Sequence, residues 1–138
     1  MRTAFIVSLL IITISSCKKD NGFNSLKNQV VGKWEIERQV CGECPTPLTN
    51  YPEGNGNIIA LYNNGAFERL NHDSIVFKGE FSLSKSEVCN KSNPDAALYT
   101  NENANSTPLF IEIESGKLKL STPYCYADGA VVTYRRVQ

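Results

Sequence analysis

The segment Val31–Val40 reads VGKWEIERQV. One face of it would carry every second side chain, namely Trp34, Ile36, Arg38 and Val40. The intervening positions are all charged or polar, namely Lys33, Glu35, Glu37 and Gln39. A period of two is typical of a β-strand whose two faces meet different surroundings. The folded part of the chain is therefore predicted to open with an amphipathic strand.

Turn signals divide the chain that follows into short runs. Asn63-Asn64-Gly65 separates the β-prone runs 58–62 and 66–70. An Asn-Gly pair in this setting predicts a hairpin with a type I′ turn, in which both central residues have positive φ. Further turns are expected at Asp73-Ser74, Ser115-Gly116 and Asp128-Gly129.

An alternating apolar stripe predicts the core. It comprises Ile75, Phe77, Phe81, Leu83, Ile111, Ile113, Leu118 and Leu120. Gly79 on the same face indicates a bend or a close approach by another side chain. The stripe would either fill a small barrel with its own side chains or line an apolar cavity. The last strand is expected to alternate through Val132, Tyr134 and Arg136.

Two long segments, 42–57 and 84–108, are rich in Pro, Gly, Asn and Ser and are predicted to be irregular. A short strand at 96–100 is expected inside the second. Near the start, Ser25–Gln29 is predicted to form one helical turn with Ser25 as its N-cap.

These patterns give about seven to nine strands with almost no helix. Strands joined by tight turns pair with their neighbours, so we predict an all-β fold built as an antiparallel meander. Closure, or near closure, into a barrel would remove exposed strand edges. An open sandwich is the alternative.

The first residues have a different composition. Residues 1–16 contain one basic residue, Arg2, followed by an apolar run from Ala4 to Ile14 and then two serines. This is typical of a cleaved secretory signal, and the run is too short for a transmembrane helix. Residues 17–25 are predicted to form a flexible tether and residues 26–138 a single domain.

Ile14-Ser15-Ser16-Cys17 resembles the lipobox of bacterial lipoproteins. The resemblance implies diacylglycerol on the Cys17 sulfur, cleavage before Cys17, and a fatty acyl chain such as palmitate on the new N-terminus. The alternative is an ordinary secretory signal with an incidental cysteine. The residue after Cys17 is Lys18 rather than Asp, which is the common signal for retention in the inner membrane. This favours the outer membrane, on its periplasmic or surface-exposed face.

The domain itself resembles the short lipocalin-like domains of Gram-negative envelope lipoproteins. The resemblance rests on the order of Gly32-Lys33-Trp34, Asn63-Asn64-Gly65-Ala66-Phe67, Gly79-Glu80-Phe81 and Tyr134-Arg135-Arg136. It implies a lipocalin-like barrel in which Trp34 plugs one end and Arg136, or Arg135, packs across its ring. A guanidinium on an indole face is a favourable cation–π contact.

Cys41, Cys44, Cys89 and Cys125 remain once Cys17 is assigned to lipid. An even number in an exported domain predicts disulfides, with three connectivities open. We expect Cys41 or Cys44 to pair with Cys89 or Cys125. The alternatives are a Cys41-x-x-Cys44 redox site, although Pro45 opposes the helix that such a site needs, and a four-thiolate zinc site, although Cys89 and Cys125 are isolated.

Other candidate sites are few. His72-Asp73-Ser74 contains the only histidine, and consecutive residues on a strand cannot form a triad. Asp73-Ser74-Ile75 resembles an acceptor sequence for bacterial O-glycosylation at Ser74. No motif indicates a catalytic site, a metal site or a cofactor, so we expect a protein that is not an enzyme.

The net charge of 0 becomes about −1 once Arg2 is removed with the signal, and this leaves no basic footprint for nucleic acid. The sequence therefore predicts a lipid-anchored envelope protein that binds a small apolar ligand or a partner protein. An envelope thiol-redox or metal-stress protein that acts through Cys41 and Cys44 is the alternative.

Overall fold

The computed structural model describes residues 21–86, 89, 95–101, 108–123, 125–126 and 129–138. The predicted signal peptide, Cys17 and residues 18–20 lie outside the described residues, as does Asp128 of the predicted Asp128-Gly129 turn. In the described part, no helix is long and apolar enough to cross a membrane.

The described residues form one helix and a series of strands. They are α1 (Asn21–Val30), β1 (Gly32–Cys41), β2 (Leu48–Asn50), β3 (Asn57–Leu61), β4 (Ala66–Asn71), β5 (Ser74–Ser86), β6 (Asp95–Thr100), β7 (Leu109–Glu114), β8 (Lys117–Ser121) and β9 (Ala130–Val137). Short strand β2 lies within the segment 42–57, which the sequence predicted to be irregular throughout.

The strands form a closed antiparallel barrel. They are ordered β2-β1-β3-β4-β5-β6-β7-β8-β9, and β9 also pairs with β1. Eight strands close the barrel as a meander, and β2 is an extra strand on the far half of β1, beyond the end of its pairing with β3. The predicted all-β meander and its closure are confirmed, and the open sandwich is excluded.

A β-bulge in β1 changes which side chains face the interior. Its register with β9 shifts by one residue around Glu37. Beyond the bulge, Gln39 lies opposite Val132, which packs against the core, whereas Val40 is 38% exposed. The prediction that Val40 shares the face of Trp34 is wrong, because one extra residue reverses the alternation from that point onward.

The turn at 63–65 is a hairpin turn but not of type I′. Among its residues only Gly65 has positive φ, at 83°. The Gly65 amide donates to the Tyr62 carbonyl at 2.9 Å, and the Ala66 amide donates to Asn64 Oδ1 at 3.0 Å. This is the three-residue loop that ends in a left-handed glycine, the next commonest hairpin connection.

Two other hairpins have two-residue turns in which both residues have positive φ. His72 (46°) and Asp73 (64°) join β4 to β5, and Ser115 (52°) and Gly116 (76°) join β7 to β8. The second turn falls where the sequence predicted it. The first lies one residue earlier than predicted, with Ser74 already in β5.

Helix α1 is longer than the single turn predicted at Ser25–Gln29. Ser25 lies inside the helix rather than at its N-cap, and its hydroxyl accepts a hydrogen bond from Gln29 Nε2 at 2.9 Å. Leu26 and Val30, four residues apart, share a face that packs on the core. The predicted tether, residues 17–25, thus overlaps the helix at residues 21–25.

The apolar stripe forms much of the core, with one exception. A register shift between β4 and β5 pairs Leu70 with Ile75, and Ile75 is 44% exposed, so its predicted place in the stripe is wrong. The close approach of another side chain that was predicted at Gly79 is confirmed. A Cβ added there would collide with Asn101 Oδ1 and with the ring of Phe77.

The disulfides are Cys41–Cys44 and Cys89–Cys125. The expectation that a cysteine of the first pair would bond to one of the second is therefore wrong. Pairing all four as disulfides also excludes the four-thiolate zinc site. On the chain-entropy model, the 36-residue separation of Cys89 and Cys125 contributes about 4 kcal/mol and the 3-residue separation of the other pair about 2 kcal/mol.

Candidate ligand-binding cavity

One end of the barrel is closed by a cluster around Trp34, which is 1% exposed. The Arg136 guanidinium lies over the indole ring, with Cζ 4.5 Å from the ring centroid. Trp34 Nε1 donates to the Val30 carbonyl at 2.7 Å. Gly32 has φ 142°, and a Cβ there would lie 3.3 Å from Arg136 Nη1. Glycine thus lets β1 pass close to the guanidinium.

Arg136 also binds the end of helix α1. Its Nη2 donates to the carbonyl of Gln29 at 2.6 Å and to that of Val31 at 3.3 Å. The last carbonyls of a helix lack intrahelical partners and carry partial negative charge, so a cation there is favourable. Arg136, and not Arg135, is therefore the partner of Trp34, and it joins helix, β1 and β9 at the closed end.

The other end contains an open cavity of about 500 Å³. Inner-face residues line it: Ile36, Gln39, Asn57, Ile59, Arg69, Asn71, Val132 and Tyr134. Asn57 pairs with Asn71 and Ile59 with Arg69, so amide and guanidinium groups stand side by side on two adjacent strands. The mouth of the barrel is partly polar, whereas the cavity that the sequence offered as one alternative was apolar.

A smaller chamber of about 140 Å³ adjoins this cavity. The two spaces share four lining residues: Ile59, Arg69, Val132 and Tyr134. The smaller chamber is lined mainly by apolar side chains, among them Phe67, Leu98, Leu109 and Leu120. The barrel is thus filled at the Trp34 end and hollow at the other end.

A buried carboxylate fixes the loop beside the mouth. Glu35 is 4% exposed although it is on the outer face of β1. Its carboxylate accepts hydrogen bonds from the amides of Gly54 (2.9 Å) and Gly56 (3.0 Å). Arg135 lies 3.5 Å from Glu35 Oε2 and donates to the Tyr51 carbonyl at 2.6 Å. We call these contacts of Glu35 with Gly54, Gly56 and Arg135 the Glu35 clamp. No local pattern in the sequence predicts it, because Glu35 occupies a position at which a solvated charge is expected.

The clamp bears on the cavity because Tyr51 and Asn57, at the two ends of the clamped loop, both line the mouth. Gly54 (φ 76°) and Gly56 (φ 74°) adopt the left-handed conformation that turns their amides toward one carboxylate. Glu35 thus positions one wall of the cavity without lining it.

The Cys41-x-x-Cys44 motif lacks the surroundings of a reactive thiol pair. Cys41 is the last residue of β1, is 7% exposed and is bonded to Cys44. Residues 42–47 are irregular, and the next element is strand β2. A low thiol pKa in such motifs comes from a helix N-terminus, and none follows Cys44. The disulfide staples the end of β1 to the loop.

The remaining predicted residues lie at a hairpin tip. His72, Asp73 and Ser74 are consecutive and exposed, and they form no triad. Ser74 is accessible at the start of β5, and its glycosylation stays a prediction. Among the described residues, no group of three or more His, Cys, Asp or Glu could hold a metal ion.

Three partly exposed groups have displaced pKa values. The hydrogen bond between Tyr62 and Glu68 raises the pKa of the phenol and lowers that of the carboxyl. The hydrogen bond to Glu112 raises the pKa of Lys119. The residues of these two pairs line neither the cavity nor any described part of its inner wall, and partly exposed pairs of this kind contribute little to stability.

No protein-family model matches the chain, and comparisons with curated proteins and with solved structures likewise give no match. The class of protein is therefore defined here by its architecture: a closed antiparallel β-barrel with one plugged end and one open, partly polar cavity.

Replacing Arg136 with Met is expected to destabilise the fold by about 2–4 kcal/mol. The variant keeps an apolar stem but loses the cation–π contact and the charged hydrogen bonds to the helix carbonyls. Urea unfolding followed by the fluorescence of Trp34, the single tryptophan, measures this. Arg38→Met on the outer face of β1 is the matched control and should change stability by less than about 0.5 kcal/mol. Equal losses in the two variants would contradict the role of Arg136.

Glu35→Gln should lower the free energy of unfolding by about 1–3 kcal/mol. A side-chain amide has one acceptor oxygen where the carboxylate has two, so one glycine N–H would face a buried NH₂ group instead of an oxygen. The amide proton signals of Gly54 and Gly56 should shift upfield in NMR spectra as their charged acceptor is lost. Glu112→Gln, which removes the exposed ion pair with Lys119, is the control and should be nearly neutral. Unchanged glycine amide signals in Glu35→Gln would refute the clamp.

Proposed function

We propose that this protein is a lipid-anchored, lipocalin-like protein of the bacterial cell envelope that binds a small apolar ligand. The observation that carries the proposal is the hollow end of the barrel. A space of about 500 Å³ falls within the range of small-molecule sites, and an apolar chamber adjoins it. The plugged end contributes stability, so the other end can remain unfilled.

The resemblance to lipocalin-like envelope domains agrees with two features of the barrel. The Gly-x-Trp strand supplies the plug, and an arginine from the last strand covers it. The fold alone is compatible with many functions, so the proposal rests on the cavity rather than on the architecture.

The lipid anchor is proposed from the sequence around Cys17. Helix α1 spans Asn21–Val30, so few residues separate its first described turn from the predicted lipid. A segment of four residues reaches at most about 14 Å. Acyl chains at Cys17 would therefore hold the helix, and with it the barrel, close to the membrane surface. Each buried methylene contributes about 0.8 kcal/mol to such anchoring.

The ligand-binding part is tested with the neutral apolar fluorophore N-phenyl-1-naphthylamine, added to the Cys17→Ser chain, which carries no acyl chains of its own. We expect enhanced emission that saturates at one dye per chain. Val132→Trp, inside both spaces, should weaken binding at least tenfold. Val131→Trp, on the outer face of the same strand, should bind as before. Absence of saturable binding, or equal effects of both variants, would overturn the proposal.

The anchor is tested separately. Expressed in a Gram-negative host, the protein should partition into the detergent phase of Triton X-114, and its mass should equal residues 17–138 plus diacylglycerol and one acyl chain. Cys17→Ser should remain in the aqueous phase, whereas Cys44→Ser should still partition into detergent. A mature protein that begins elsewhere, or a Cys17→Ser chain that stays in detergent, would rule out lipidation at Cys17.

A further inference from the structure

The cavity has an uneven distribution of charge. Arg69, on β4, is the one charged residue among the described residues that line the larger cavity, and also among those that line the smaller chamber. It pairs with Ile59 on one side and Phe77 on the other, which places it on the inner face. A cationic group therefore stands where the polar mouth meets the apolar chamber.

Three amide side chains extend this polar surface toward the mouth. Asn57 and Asn71 face each other across β3 and β4, and Gln39 lies on the inner face of β1 because of the bulge at Glu37. Amide groups both donate and accept hydrogen bonds. An entirely apolar ligand would remove these groups from water without replacing their hydrogen bonds, which costs free energy.

Arg69 is suited to an anion even though it already makes an interaction within the protein. A guanidinium has five N–H donors in a fixed plane and stays positively charged in every contact, so it can bind a carboxylate in addition to its interaction within the protein. Hydrogen bonds to an ionised partner are roughly twice as strong as neutral ones. Arg69 is also exposed, so a ligand entering through the mouth can reach it.

The inner chamber limits the apolar part of the ligand. Its volume is about 140 Å³. At ~10–15 Å³ of such cavity volume for each water-sized group, the chamber holds about ten of these groups. Leu98, Leu109 and Leu120 supply its apolar surface. The chamber therefore suits a short alkyl tail rather than a long lipid chain.

We propose that the cavity binds a short-chain amphiphile with a carboxylate head. Arg69 binds the carboxylate, the mouth amides surround it, and the alkyl tail enters the apolar chamber. This assignment rests on the proposed function and narrows it, because it adds a charged head group to the small apolar ligand of the same cavity.

The experiment compares three eight-carbon probes that differ only in the head group: octanoate, octanol and octylammonium. Each displaces N-phenyl-1-naphthylamine from the Cys17→Ser chain at neutral pH. We expect octanoate to bind at least tenfold more tightly than octanol, and octylammonium more weakly than either. Arg69→Gln should weaken octanoate at least tenfold and leave octanol unchanged. Arg69→Lys should retain part of the preference for octanoate over octanol. Arg38→Gln, on the outer face of β1, should retain all of it.

The outcomes distinguish the carboxylate assignment from the proposed function on which it rests. Equal binding of octanoate and octanol to the unsubstituted cavity would overturn the carboxylate assignment and leave ligand binding standing. Failure of the dye and of all three probes would overturn the proposed function itself. Octanol binding reports whether Arg69→Gln is folded. If that variant does not fold, the order of the three probes on the unsubstituted cavity decides.

Discussion

The contact between Arg136 and Trp34 is the interaction on which the closed end of the barrel depends. It joins the first and last strands of the meander, which are 102 positions apart in the chain and pair directly at these two residues. The same guanidinium binds the carbonyl of Gln29, so the helix is fixed to the seam where the barrel closes. Bringing the two ends of the meander together costs conformational entropy. The favourable contacts of this cluster offset part of that cost at the point where the ends meet.

The bulge at Glu37 decides what the rest of β1 can do. Without the extra residue, Val40 would face the interior and Gln39 the solvent, and the mouth would be more apolar. With it, Gln39 enters the cavity, and Cys41 ends the strand in a buried position from which it bonds to Cys44. A single inserted residue thus converts an ordinary amphipathic strand into one that packs a core at one end and lines a polar cavity at the other.

Local patterns in the sequence were sufficient for the architecture, because alternating side chains and turns such as Ser115-Gly116 report directly on strand pairing. The plug was implied by the resemblance of the Gly-x-Trp strand and the last strand to those of a known family, which left Arg136 and Arg135 both open as the partner of Trp34. The cavity was not predictable in the same way. The position of Gln39 depends on a bulge with no local signature, and the burial of Glu35 depends on a loop that returns from 19 residues away. Such features follow from register and long-range contact, which periodicity does not encode.

The separation of the two ends explains why a small barrel can keep an unfilled cavity. Buried apolar surface and the Arg136 cluster are concentrated around Trp34, where no ligand is expected. At the mouth, hydrogen bonds to Glu35 hold the loop, so one wall of the cavity is positioned without apolar side chains that would fill the space beside it. Arg69 lies at the boundary between the partly polar mouth and the apolar chamber. Arg69 is exposed there rather than enclosed in the core, and it is the residue that would meet the charged head of the proposed ligand.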